Sequence, residues 1–119
     1  MMTKRSAAIT LVAVLCLAGP ACSSSSPQPV ACASPVSSTT VTVVDYAFNP
    51  VCTAAAPGAT LTVENTGSIP HTFTVTGTSI DVPISVGETK QVPLTGVAAG
   101  TYAVVCRLHP QMLGSLKVG

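Results

Sequence analysis

The chain has 119 residues and a formal net charge of +1, with 47% hydrophobic and only 8% charged positions. So few charges leave no basic patch for nucleic acid and little long-range steering of any partner. No Ser/His/acid set and no pair of catalytic carboxylates is suggested, so the chain reads as something other than an enzyme.

Lys4 and Arg5, followed by the largely apolar Ala7 to Ala18, read as an export signal too short to span a bilayer. Cleavage after Gly19-Pro20-Ala21 makes residues 1–21 the signal peptide and leaves 119 − 21 = 98, enough for one domain. Cys22 then heads the polar run Ser23 to Ser26. A small residue followed by Cys after an apolar core resembles a bacterial lipobox, although Gly19 and Pro20 stand where Leu and a small residue are usual. It implies a lipid anchor at Cys22 on the outer face of the cell membrane. The alternative is plain secretion or a periplasmic location with Cys22 unmodified. Residues 22–38 are rich in Ser, Pro and Ala without periodicity and read as a linker, with a mean reach on the order of 20 to 25 Å.

From residue 39 to 119, period-2 alternation and turn residues dominate. Strands are predicted at Thr39–Val44, Thr60–Asn65, Thr72–Thr76, Ile80–Val82, Thr89–Leu94, Thr101–Cys106 and Ser115–Val118. Breaks fall at Asn49-Pro50, Pro57-Gly58, Asn65 to Gly67, Gly87 and Gly96 to Gly100. Pro, Gly and β-branched residues interrupt every candidate helix. Short strands at this spacing predict an all-β Greek-key sandwich or barrel. Its core would be aliphatic, since the only aromatics are Tyr46, Phe48, Phe73 and Tyr102.

Five cysteines sort by position. Cys16 leaves with the signal, Cys22 is the anchor candidate, and Cys106 belongs to the motif below. Cys32 and Cys52 remain, and an exported protein can oxidise them to a disulfide. The alternative is two unrelated thiols, with Cys52 filling a small core site. Beyond residue 21, Lys90, Arg107 and Lys117 face Asp45, Glu64, Asp81 and Glu88, a net charge of −1.

The last fourteen residues carry the chemistry. Cys106, His109 and Met112 follow Cys-x2-His-x2-Met spacing between two strand-like runs, so a short loop can bring thiol, imidazole and thioether to one metal. The only other histidine is His71, in Asn65-Thr-Gly-Ser-Ile-Pro-His71 ahead of an alternating strand. By strand parity His71 shares a face with Phe73 and Val75, opposite Thr72, Thr74 and Thr76, while Cys106 shares one with Tyr102 and Val104. Both donors are thus expected at strand ends on the core side. Taken singly, each residue reads more simply: a Cys ending an apolar strand as core filler, a His beside Pro as surface, a Met as packing. Their conjunction favours a metal site. A thiolate, two imidazoles and a weak thioether suit copper, whereas zinc would want a fourth strong ligand.

These motifs resemble the cupredoxins, the small blue-copper proteins, and most closely the plastocyanin/amicyanin branch. Asn65 to His71 looks like that branch's upstream histidine motif, and Cys106-x2-His109-Pro110-x-Met112-x-Gly114 like its C-terminal ligand loop in the short version. Tyr46-Ala-Phe-Asn-Pro50 followed by Pro57-Gly58 is a weaker match. Two departures stand out. Thr72 occupies a position where Asn is common, and the 106 − 71 = 35 positions between His71 and Cys106 are short for the family. The resemblance implies one copper ion held by His71, Cys106, His109 and Met112 and one-electron transfer between redox partners of the envelope or respiratory chain, the protein acting as a monomer. Copper delivery or storage in the envelope is the alternative. It is disfavoured because the single Met and two His after the signal are all taken by one site. A metal-free interaction module would make the ligand set a coincidence. Ile69, Pro70, Leu108, Pro110 and Leu113 are expected around His109 as an apolar rim, with Arg107 the one charge able to orient a partner.

Overall fold

In the computed structural model residues 26–119 are described, and all regular structure among them is β. The signal and the Cys22 anchor fall outside the described residues. Ten strands run in chain order: β1 (Val36–Ser37), β2 (Thr40–Val44), β3 (Ala47–Asn49), β4 (Cys52–Ala55), β5 (Thr60–Asn65), β6 (His71–Val75), β7 (Asp81–Ile84), β8 (Thr89–Pro93), β9 (Gly100–Cys106) and β10 (His109–Val118). They form a six-stranded sheet in the order β1-β4-β10-β9-β6-β7 and a four-stranded sheet in the order β3-β2-β5-β8. Both are mixed, because β2–β5, β4–β10 and β1–β4 pair in parallel.

The two sheets pack face to face as a β-sandwich. Alternation in β2 and β5 turns Val41, Val43, Leu61 and Val63 inward, where they are almost fully buried. Phe73, Val75, Ile84, Val104, Leu116 and Val118 meet them from the larger sheet. Phe48 and Phe73 cross the interface edge-to-face at 5.9 Å, an arrangement worth about 0.5–1.5 kcal/mol beyond area burial. The prolines follow the ladder rule. Pro83 lies in β7 and Pro93 in β8, each an edge strand, where a missing N–H leaves no central ladder bond unmade.

Seven expected strands are present, with ends shifted by one or two residues at most except at β10, which begins at His109 rather than Ser115. The ligand loop itself is drawn into a tight hairpin. His109 pairs with Cys106, the register then slips, and pairing resumes at Leu113 opposite Val105. Three strands are additional. β1 lies within the segment read as linker, β3 is three residues long, and β4 is Cys-Thr-Ala-Ala. Alanine has poor intrinsic strand preference, so β4 owes its form to parallel partners on both sides. Cys52, its first residue, forms a disulfide with Cys32 across a Cα–Cα distance of 6.1 Å. Closing that loop stabilises the fold by roughly 3 kcal/mol in the chain-entropy model.

Candidate metal centre

His71 opens β6 and Cys106 closes β9, and the antiparallel pairing of these strands, with Thr74 opposite Val105, sets the two side by side at one pole of the sandwich. The hairpin turn Arg107–Leu108 then returns His109 to the same place. His71 Nδ1 lies 3.8 Å and His109 Nδ1 3.4 Å from Cys106 Sγ. One donor atom from each of the three falls within 4.8 Å of the others. His71 and Cys106 are 0% and 1% exposed, while His109 is half-buried. Met112 is buried in the adjoining core, and it lines with His109, Tyr46, Leu108, Pro110 and Gln111 a surface hollow of about 440 Å³. Gly114 lets β10 press close there. A Cβ on it would lie 2.8 Å from the Val51 carbonyl oxygen and 3.2 Å from the Phe48 ring.

The loop before His71 is shaped by Asn65, which is fully buried. Its side-chain amide donates to the carbonyls of Ile69 (2.9 Å) and Ile84 (3.0 Å), and its Oδ1 accepts from the Gly67 amide at 2.9 Å. All of its polar atoms are thereby satisfied in a dry site, where an unpaired one would be costly. The parity expected for β6 holds, with His71, Phe73 and Val75 inward. Thr72 on the opposite side is nevertheless buried too. Its amide donates to Cys106 Sγ at 3.3 Å, and its hydroxyl oxygen accepts from the Arg107 amide at 2.9 Å. The backbone contact to sulfur needs no particular side chain. The hydroxyl knits the two donor strands together just above it.

A polar circuit continues from there. The Thr72 and Thr74 hydroxyls are 3.0 Å apart, Thr74 donates to Asp81 Oδ1 at 2.8 Å, and Arg107 Nε donates to the same oxygen at 2.8 Å. Since the Thr74 proton goes to Asp81, Thr72 is the donor between the two hydroxyls. Arg107, followed by Thr74, holds the Asp81 carboxyl below its ordinary range. Arg107, expected as the one charge able to orient a partner, is thus one half of an exposed ion pair with Asp81.

Asp45, in the turn between β2 and β3, was not singled out by the sequence. Its carboxylate accepts from the Ser68 amide at 3.0 Å and from the Ser68 hydroxyl, and its Oδ1 lies 3.1 Å from His71 Nε2. The Ser68 hydroxyl and amide, then His71, hold the Asp45 carboxyl down at about 2. The next residue, Tyr46, has φ 72° and sets its ring edge-on to His109, with centroids 5.2 Å apart. The left-handed backbone is uncommon for an aromatic residue and marks a turn held by its surroundings.

Two imidazoles with Nδ1 turned toward one thiol, beside a buried thioether, form a donor set consistent with a type 1 copper. The fit rests on hydrogen bonding as well as donor type. His71 turns Nε2 to the Asp45 carboxylate and Nδ1 to the cluster.

Comparison with known proteins agrees with this picture. The model of the cupredoxin-like domain family matches residues 7–118. The methylamine utilization protein MauL of Methylophilus methylotrophus is 32% identical over 115 residues, covering 93% of this chain and 66% of that protein. A Cu-containing nitrite reductase (NirK) from Thermus scotoductus SA-01 shares the fold at a TM-score of 0.58 and 24% identity, over 77% of this chain and 25% of the other. The reduced form of an amicyanin mutant does so at 0.59 and 21% identity, over 67% of this chain and 80% of amicyanin. The chain thus spans just under two thirds of the first relative and a quarter of the reductase. With a family model matched along the whole sandwich and a copper-type donor set at its pole, the chain belongs to the cupredoxin-like family.

Proposed function

We propose that the domain is a mononuclear type 1 copper protein that carries single electrons between redox partners in the cell envelope. His71, Cys106 and His109 would hold the ion as its strong donors, and Met112 would offer a weak thioether. The observation that carries this is the convergence of three donors within 4.8 Å, two of them fully buried on paired strands. When bound, copper supplies a one-electron Cu(II)/Cu(I) couple with no proton or atom transferred.

The protein's own contribution is to hold the donors still. β6 and β9 fix His71 and Cys106, Thr72 N–H steadies the sulfur, and the hairpin register fixes His109. A preset donor cage limits the rearrangement that a change of charge demands. His109 is the donor nearest solvent, and Tyr46 and Leu108, which line the same hollow, are 65% and 54% exposed. This apolar rim supports an electron exit through His109 to a transiently docked partner. With the residues between Cys22 and Cys32 as tether, a lipid at Cys22 would keep the domain on the outer face of the membrane. The same donor set leaves no arrangement for substrate turnover, so the reading is a carrier and not an enzyme.

The test is a spectrum. Copper-loaded, oxidised protein should absorb intensely at about 600 nm through thiolate-to-Cu(II) charge transfer, and Cys106→Ser should abolish the band. Wild-type protein that binds copper yet stays colourless under oxidant would rule the assignment out. Leu108→Glu should keep the band and slow self-exchange. An unchanged rate would exclude the rim as the exit.

A further inference from the structure

The turn between β2 and β3 meets both histidines, Asp45 at His71 and Tyr46 at His109. No backbone constraint of the sandwich demands a carboxylate there. The local structure is nevertheless built around one. Asp45 is gripped by the Ser68 amide and hydroxyl, so its Oδ1 faces His71 Nε2 without freedom to swing away. Gly67 makes room, because a Cβ there would come within 2.3 Å of Asp45 Oδ1. The imidazole it meets is 0% exposed, so no water competes for Nε2.

We infer that Asp45 is a positioning residue for the metal centre: it fixes His71 as the Nε2–H tautomer and places one negative charge behind that ligand. The inference rests on the copper reading for its electronic consequence and on geometry alone for the tautomer. An imidazole that donates to a carboxylate is a more basic ligand, and outer partners of this kind typically contribute about 10- to 100-fold in metal affinity. A charge on the far side of the ring favours Cu(II) over Cu(I), so it lowers the reduction potential. Its strength comes from where it sits. Although the Asp45 side chain is 30% exposed, its Oδ1 is 3.1 Å from Nε2, well inside the screening length of about 10 Å at 0.1 M salt.

Two measurements test this. In metal-free wild-type protein at about pH 8, ¹⁵N NMR should show a neutral His71 ring protonated at Nε2 and bare at Nδ1. The opposite tautomer would overturn the assignment whatever the metal chemistry proves to be. In copper-loaded protein, Asp45→Asn should raise the reduction potential and weaken Cu(II) binding about 10- to 100-fold. Glu64→Gln, which removes the same charge from the exposed side of β5, should leave the potential in place. Equal shifts in the two variants, or no shift in Asp45→Asn, would defeat the positioning role. A wild-type protein that never turns blue would instead defeat the copper reading and leave the tautomer result standing.

Discussion

His71 and His109 offer the same ring nitrogen to the same sulfur from opposite surroundings. The first stands on a strand, 0% exposed, with its far nitrogen on a gripped carboxylate. The second sits in a hairpin with a register slip, half-buried, with an exposed tyrosine edge beside it. One half of the centre is part of the core. The other is part of the surface. A site assembled in this way can be rigid and still reach a partner, because rigidity and access are assigned to different ligands.

The widest separation should come from deleting each ring in metal-free protein. His71→Ala opens a hole in packed core and strands Asp45, and should destabilise the fold by about 2–4 kcal/mol in denaturant titration. His109→Ala should cost no more than about 1 kcal/mol, since its ring contributes little to the core. Equal losses would mean the two halves are not distinct in the way their burial indicates.

The glycines sharpen the same contrast. Gly114→Ala drives a methyl to 2.8 Å from a backbone oxygen, which cannot turn aside, and should cost about 1–3 kcal/mol. Gly67→Ala drives a methyl against the gripped Asp45 carboxylate and to 3.0 Å from the Asp45 backbone nitrogen, so it should destabilise as well. It alone should disturb the His71 ¹⁵N signals. A smaller effect is expected at the bridge between the halves. Thr72→Val keeps the amide donor to sulfur but takes the acceptor from the Arg107 amide, and should cost about 1–2 kcal/mol with the blue band retained.

The smallest effect belongs to the exposed end of that circuit. The Asp81 carboxyl is held below its ordinary range by Arg107, so its folded pKa lies under its unfolded one, about 3.9. Its stabilisation is therefore present above about pH 4 and is lost as pH falls through the folded value. Stability curves of wild type and Asp81→Asn should converge in acid and differ slightly near neutrality, less so at high salt. Curves that stay parallel through this range would show that the pair contributes nothing.

How far the sequence foretold these two halves follows from how local each feature is. The Cys106–Met112 spacing is contiguous, and the upstream histidine announces itself by being the only other one, so the four donors could be proposed from the chain alone. Strand alternation likewise exposed the core faces of β2, β5, β6 and β9. Asp45 was invisible because its meaning depends on a turn 26 positions away from His71 folding back over it. Thr72 was visible only as a departure from a pattern, since its hydroxyl finds Arg107 through strand pairing 35 positions apart. β4 was missed because an Ala-rich tetrapeptide becomes a strand only when β10 arrives beside it.

The disulfide and the parallel ladder of β4 give the domain a mechanical character. Tension on the segment ahead of Cys32 does not peel the two-residue β1. It enters through the disulfide at Cys52, the first residue of β4. β4 runs parallel to β10, register-matched from Cys52–Ser115 to Ala55–Val118. A pull against the opposite end of the chain would therefore load four residue pairs at once in shear instead of unzipping them singly. A domain held on a tether could be tugged by that tether while the strain stays in β4 and β10, and the donor strands β6 and β9 lie on the far side of β10. Reducing the disulfide would shift the point of attack to β1, and resistance to unfolding under force should fall with it.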